Sequence, residues 1–246
     1  LIPNGPSPRE ANGCGVSEDS LSDDHTKERQ YQVMLEYRQQ RGLETLGLMT
    51  SQAWYDDPKR LTFTLARYKF AAKMLSGSNH VLEVGCADAF GTRVVVQEVK
   101  QLTAVDFDPL FVADTNARMS ERWSFTCKTH DMMKGSVSGE FDGVYALDVL
   151  EHIAPEDEQV FLRNMTSSLT PHGTMIIGMP SLESQGYASP LSKEGHVNCK
   201  SMPDLKHTMQ RFFHNVYMFS MNDEVVHTGF HKMAHYLFAL CCNKRE

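Results

Sequence analysis

The sequence predicts an α/β fold: a doubly wound, mostly parallel seven-stranded sheet with an antiparallel last strand, preceded by an N-terminal helical cap. Three observations carry this prediction. From His80 onward, short apolar runs rich in β-branched residues alternate with helix-length stretches, the pattern of right-handed crossovers between parallel strands. The run Val81-Leu82-Glu83-Val84-Gly85-Cys86-Ala87-Asp88-Ala89-Phe90-Gly91 joins a buried-strand pattern to a small-residue turn. Such a turn lets backbone approach a ligand lying over the strand ends. Two strand-like runs close the chain, and an antiparallel pair at the far edge of a parallel sheet explains them best.

Residues 1–26 are rich in Pro, Gly, Ser, Asn and Asp with almost no apolar periodicity, and they read as a disordered leader. Residues 27–79 are expected to form the helical cap. One helix is predicted over 28–48, with Tyr31, Met34, Leu35, Tyr37 and Leu43 as its apolar residues, and a second over 57–75, ended by Ser76-Gly77-Ser78-Asn79. Residues 80–246 form the main domain. Strands are expected at 80–85, 102–106, 123–128, 141–147 and 173–179, with helices near 91–99, 109–119 and 157–169. Pro171-His172-Gly173 makes a tight turn into the fifth strand. The stretch 180–200, rich in Ser, Gly and Pro, reads as a substrate loop. A helix near 203–213 and strands over 215–221 and 232–241 follow. His227, His231 and His235 are spaced by four, but their neighbours read as turn and strand, not as one helical face.

At 246 residues, 41% hydrophobic and 22% charged, the chain is long enough for one α/β domain with an appendage. A net charge of −7 argues against a dedicated binder of nucleic acid. No apolar run is long enough to span a bilayer, and the N-terminus lacks a charged-then-apolar signal pattern. The chain begins with Leu1 and not Met, as a processed or trimmed chain would. Its six cysteines form no C-x-x-C pair and read as reduced thiols, so a cytoplasmic location is expected.

The ligand of the glycine turn follows from charge. A dinucleotide needs bare amides for its pyrophosphate, whereas this turn sets Glu83 and Asp88 where a diphosphate would lie, anion beside anion. A cationic cofactor suits these acids better. Asp106 ends the next strand about twenty residues on, the spacing at which an acid meets a ribose.

At these residues the chain resembles the class I S-adenosylmethionine-dependent methyltransferases. The resemblance covers roughly 80–180 and implies a Rossmann-like sheet and S-adenosyl-L-methionine as cofactor. Residues 81–91 resemble the first motif, E/D-x-G-x-G-x-G, with Ala87 in place of the middle glycine; Glu83, Gly85 and Ala87 are the implied cofactor residues there. Leu102-Thr103-Ala104-Val105-Asp106-Phe107-Asp108 resembles the second motif, which implies ribose hydroxyls on Asp106 and adenine against Phe107. His130-Asp131-Met132 follows the third strand, where Asp131 would face the adenine amino group and Met132 the ring. Residues 141–153 resemble the fourth motif in its Leu-Glu-His-Ile form, which puts the backbone of Leu147 beside the methionine portion. Arg67-Tyr68 resembles a pair whose arginine holds the cofactor carboxylate.

For chemistry, Asp148-Val149-Leu150-Glu151-His152 at the end of the fourth strand and His196 in the later loop are the candidates. His152, Asp148 and His196 form the candidate catalytic set, with an imidazole as general base. The same acid-x-x-Glu-His pattern with a downstream histidine resembles two groups that bind a divalent metal, the small-RNA terminal 2′-O-methyltransferases and the ubiquinone-pathway O-methyltransferases. That resemblance implies Asp148, Glu151, His152 and His196 as ligands of Mg²⁺, Mn²⁺ or Zn²⁺. General base, metal ligand and helix cap stay open as roles for His152. Trp54, Tyr55 and Tyr187 are candidates for the acceptor pocket.

Between 59–61 and 221–224 the chain also resembles bacterial methyltransferases of polysaccharide and natural-product pathways. The expected reaction is therefore O-methylation of a small polar acceptor such as a sugar, sugar nucleotide or natural product. N-methylation of a small amine, RNA 2′-O-methylation and a non-catalytic cofactor-binding scaffold are the alternatives. The expected partner is a small-molecule acceptor, with no membrane and no nucleic acid, and with a homodimer as an open alternative to the monomer.

Overall fold

The computed structural model describes residues 25–245. The predicted leader lies outside them except for His25 and Thr26. The chain divides into two compact units at Glu44/Thr45. In the first, a 3₁₀ turn, Arg29–Tyr31, runs into helix α1, Gln32–Arg41. Gly42 then takes φ +74°, a left-handed conformation that stops the helix where the sequence suggested continuation to 48. The Tyr37 hydroxyl donates to Glu44 at 3.2 Å.

The second unit begins with α2, Leu48–Asp56, and α3, Lys59–Met74. It continues as β1, His80–Val84; α4, Thr92–Val96; β2, Gln101–Asp106; α5, Pro109–Ala117; β3, Thr126–Thr129; β4, Phe141–Leu147; α6, Glu158–Ser168; and β5, Leu169–Pro180. The remainder is α7, Pro190–Gly195; α8, Met202–Gln210; β6, Phe213–Asn222; β7, Val225–His227; and β8, Tyr236–Lys244. Three helices start on sequence signals: Asp108, Ser189 and Ser201 each accept a backbone N–H of the first turn, with proline at one of the first two helical positions.

The strands form one eight-stranded sheet in the order β3-β2-β1-β4-β5-β8-β6-β7. The first five are mutually parallel, β8 runs antiparallel to β5, and β6 and β7 follow antiparallel. The architecture is the predicted one with a single strand more, because the three-residue β7 is too short to leave an alternation in the sequence. Among the described residues no helix is long and apolar enough to cross a membrane.

Period-two alternation splits the core between the faces of the sheet. Leu82, Val84, Val144, Ala146, Met175 and Ile177 pack with α6 and α8, through Phe161, Leu162, Met165, Leu205 and Met209. Val81, Tyr145 and Ile176 pack with α3 and α4, through Tyr68, Ala71, Leu75 and Val95. The parallel order reverses direction at β1, between β2 and β4. A crevice opens there above the carboxyl ends of the strands.

Candidate functional site

The crevice holds a cavity of about 550 Å³, lined by Gly85, Ala87, Asp106, Phe107, Asp131, Met132, Asp148 and His152 among others. A nucleoside-sized ligand fits such a volume. Its floor is the glycine turn after β1. Gly85 has φ +75°, and a Cβ there would meet Val149 at 2.4 Å, so only glycine fits both the backbone and the neighbour. Ala87 and Ala89 are also left-handed, with φ +45° and +52°. Each carries a backbone strain of about 1 kcal/mol or more that glycine would avoid.

Asp106 at the end of β2 anchors this turn. One carboxylate oxygen accepts the Ala87 N–H at 2.8 Å and the other the Asp108 N–H at 2.9 Å. A carboxylate has about four acceptor positions, so roughly two stay available to a ligand. Phe107 beside it is exposed, a flat apolar face on the rim. On the adjoining wall Asp131 accepts the Met133 N–H at 2.9 Å, and Met132 is buried. Asp88 turns outward from the cavity: it accepts the Thr50 N–H at 2.7 Å and the Thr50 hydroxyl at 3.1 Å, docking the first turn of α2 onto the glycine turn.

Three expected cofactor residues do not line the cavity. Glu83 points to the opposite face, because strand alternation sends 82 and 84 one way and 83 the other. There it accepts from the Tyr68 hydroxyl of α3 at 2.9 Å and the Thr92 hydroxyl of α4 at 2.6 Å. Burial pushes its carboxyl up to about 7, against the pull of the hydrogen bonds from Thr92 and Tyr68. Leu147 is buried in the core at the end of β4. Arg67 is enclosed, with its guanidinium 4.0 Å over the Tyr236 ring and one terminal nitrogen donating to both oxygens of Asp148 at 2.8 Å.

Past β4 the chain turns sharply. Asp148 takes φ +59°, and Leu150–His152 form a 3₁₀ turn. Glu151 is fully buried, neither of its carboxyl oxygens meets a hydrogen-bond partner, and burial, with Asp148 nearby, holds it well above the usual carboxylate range. One oxygen of Glu151 and one nitrogen each of His152 and His196 lie within 4.8 Å of one another, a grouping that could hold a cation. Three of the four expected metal ligands thus come together, while Asp148 is engaged by Arg67.

The two imidazoles are oriented by their other nitrogen. His152 Nδ1 lies 2.9 Å from the Gly195 carbonyl, which can only accept, so the neutral ring carries its proton on Nδ1. His196 Nδ1 lies 2.9 Å from Gln185 Oε1, and the Gln185 amide nitrogen donates to the Ser181 carbonyl and the Ser184 hydroxyl. In both rings Nε2 keeps its lone pair. Burial, and then the charge of His152, lower the pKa of His196. The segment carrying His196 is pinned to α6: the Asn198 N–H donates to the Glu151 carbonyl at 3.0 Å, its amide donates to Glu158 at 2.9 Å, and Lys200 pairs with Glu158 at 2.8 Å.

Residues 81–173 match the methyltransferase domain family. Over this stretch the chain carries a class I S-adenosylmethionine-dependent methyltransferase domain. The methyltransferase is 29% identical over 142 residues to nodulation protein S of Bradyrhizobium diazoefficiens, an alignment covering 55% of this chain and 68% of that protein. Its fold is similar to that of the N-methyltransferase NodS from Bradyrhizobium japonicum WM9 in complex with S-adenosyl-L-homocysteine. The TM-score is 0.57, the identity 21%, and the match covers 77% of this chain and 90% of that one. It is also similar in fold to the methyltransferase domain of bacterial CtHen1-C, with a TM-score of 0.61, 13% identity, and coverage of 73% and 98%.

The site of the methyltransferase fits S-adenosylmethionine on its own terms. The spare acceptor capacity of Asp106, the Cβ-free approach at Gly85 and the apolar Phe107 and Met132 match a ribose flanked by an aromatic base. Sequence reasoning missed Gln185 and Glu158, which support the histidine segment, and Tyr236, whose ring lies against Arg67. Two of them are isolated polar residues outside any motif, and Tyr236 reads only as a strand residue. Trp54, Tyr55 and Tyr187 are all exposed, and none lines the cavity.

Proposed function

We propose that the chain transfers the methyl group of S-adenosylmethionine to a nitrogen of a small polar acceptor, with His152 and His196 receiving the proton the acceptor sheds. One observation carries this reading: both Nδ1 atoms are tied to oxygen acceptors, which leaves an Nε2 lone pair on His152 at the cavity and another on His196, whose ring lies 5.1 Å from that of His152. An imidazole base can take a proton from an amine acceptor, whereas a sugar hydroxyl ionises too poorly for it. The resemblance to NodS, an N-methyltransferase, supports nitrogen over oxygen.

When bound, S-adenosylmethionine supplies an electrophilic methyl group on a sulfonium. The chain's own residues bind and orient. Asp106 would hold the ribose hydroxyls, Phe107 and Met132 would enclose adenine, Asp131 would face its amino group, and the Gly85–Ala87 backbone and the end of β4 at Leu147 would border the methionine portion. Glu83 would act from behind, by fixing α3 and α4 beneath the turn, and Arg67 would hold the Asp148 side chain in place at the cavity wall.

A second reading is favoured by the cluster of Glu151, His152 and His196 and by the lack of any partner for Glu151. These residues would hold Mg²⁺, Mn²⁺ or Zn²⁺, whose Lewis acidity would activate a hydroxyl acceptor such as a sugar. The two readings exclude each other, because a histidine bound to metal has no lone pair for a proton.

The test is turnover on paired amino-sugar and hydroxyl-sugar acceptors, with and without EDTA, for the parent chain and His152→Ala. Methylation of the amine, insensitive to EDTA and reduced about 100-fold or more in the variant, is the expected result. Turnover of the hydroxyl alone, abolished by EDTA, would replace this reading with the second. Full activity of His152→Ala would remove both.

A further inference from the structure

Cys86 and Cys127 bring their sulfurs within 4.0 Å of each other. They belong to segments on either side of β2. Cys127 on β3 is paired in register with Ala104 on β2, Ala104 with Glu83 on β1, and Cys86 follows β1 in the glycine turn. A methyl side chain at Ala104 leaves room for the sulfurs to meet across the middle strand. Both thiols are free; Cys86 is buried and Cys127 is half-buried, so Cys127 is the one that solvent reaches. The bond between the sulfurs holds Cys127 below the ordinary thiol range, against its burial, and the same bond together with burial raises Cys86. A half-buried, more acidic thiol backed by a buried, protonated neighbour is the arrangement of an attacking and a resolving cysteine.

The turn makes this pair consequential. Cys86 sits between Gly85 and Ala87, both of which line the cofactor cavity, and the Ala87 N–H is the one that Asp106 accepts. A disulfide needs its sulfurs about 2.05 Å apart, so they must close by roughly 2 Å. Gly85 is wedged against Val149 and Ala87 is already left-handed, so the turn has little slack to absorb the movement locally.

We propose that Cys86 and Cys127 are a redox modification site, and that their disulfide distorts the cofactor cradle and weakens S-adenosylmethionine binding. The oxidant is a hydroperoxide. The Cys127 thiolate attacks the terminal peroxide oxygen, the O–O bond breaks, and the leaving oxygen departs as water or an alcohol after taking a proton, leaving a sulfenic acid. The Cys86 sulfur then attacks that sulfur: the S–S bond forms, the S–O bond breaks, and the hydroxyl leaves as water with the Cys86 proton. Two thiols lose two electrons in total and one peroxide gains them. A dithiol reductant reverses the change by exchange. The proposal rests on the cavity holding the cofactor and is independent of which acceptor is methylated.

The experiment exposes the full chain to graded hydrogen peroxide, blocks remaining thiols by alkylation, and maps disulfides by mass spectrometry without reduction. Affinity for S-adenosyl-L-homocysteine is measured on the same samples by calorimetry. The expected result is a Cys86–Cys127 cross-link that appears together with a loss of affinity of about tenfold or more, restored by dithiothreitol. Cys127→Ser and Cys127→Ala should bind the cofactor product normally when reduced and lose the response. The proposal is overturned if the cross-link never forms while Cys199 or Cys242 oxidises, if it forms with unchanged affinity, or if both variants respond as the parent does.

Discussion

A carboxyl enclosed by Tyr68, Thr92 and Tyr145, as Glu83 is, keeps its proton where a solvated glutamate has lost it. The consequence for stability has a definite sign. Below pH 4.5 the folded and unfolded chains both hold this proton, and the group contributes no pH dependence. Between 4.5 and about 7 the unfolded chain releases the proton and the folded one retains it, so stability falls as pH rises. Above about 7 the loss is complete, on the order of 3 kcal/mol. Glu83→Gln should therefore flatten the pH dependence of the melting temperature in this window and melt higher than the parent at pH 8; an unchanged slope would show that Glu83 is not the group responsible. The same residue marks what could be read in advance. Asp106, Phe107, Asp131 and Met132 were legible through the family resemblance, whose motifs fall at strand ends and so at the crevice, and all four line the cavity. Glu83 was legible as an important acid but not in its direction, since one residue along a strand reverses the face. Asp148 was legible by its motif, but its engagement by Arg67 depends on α3 crossing β4, which a linear pattern does not contain.

Among the elements, the segment after α7 positions chemistry without touching the cofactor. Asn198 ties it to the Glu151 carbonyl and to Glu158 of α6, and together with the Gln185 and Lys200 contacts this places His196 beside His152, with ring centroids 5.1 Å apart. Asn198→Ala should free the segment, lowering kcat about tenfold or more while leaving the affinity for S-adenosyl-L-homocysteine within about twofold. A fall in affinity with kcat intact would instead place the segment on the cofactor side. The sequence showed this stretch as a loop with a histidine in it, and the loop holds two short helical turns whose docking comes from single polar residues. A similar limit hid α2. The helix expected over 28–48 ends at Arg41, and Gly42 and Gly47, both at positive φ, stand between it and α2, which starts at Leu48. Strands β1, β2 and β4 were found within a few residues because burial forces their patterns. By contrast β5 starts at Leu169 and runs through Pro171-His172-Gly173, where a turn was expected, with a register irregularity against β4 instead.

For the whole molecule, the cofactor cavity joins the ends of β1 and β2 with the loops after β1, β3 and β4. A ligand that bridges them stabilises the folded chain by mass action. At a concentration 100 times its Kd, S-adenosyl-L-homocysteine should add about 2.7 kcal/mol. For a chain of this size that corresponds to a rise in melting temperature of roughly 5–10 °C. A thermal shift of less than about 1 °C under saturating conditions would contradict the assignment of the cavity.

The strand order also governs the timing of assembly. β8 comes last in the chain among the described strands, yet it lies inside the sheet, with β5 on one side and β6 on the other. During synthesis β6 and β7 emerge while they have no parallel sheet to join, and the inward edge of β5 stays bare until the final strand is delivered. The nascent chain therefore passes through a stage with two unpaired sheet edges, an interval in which it is most exposed to mispairing with other chains.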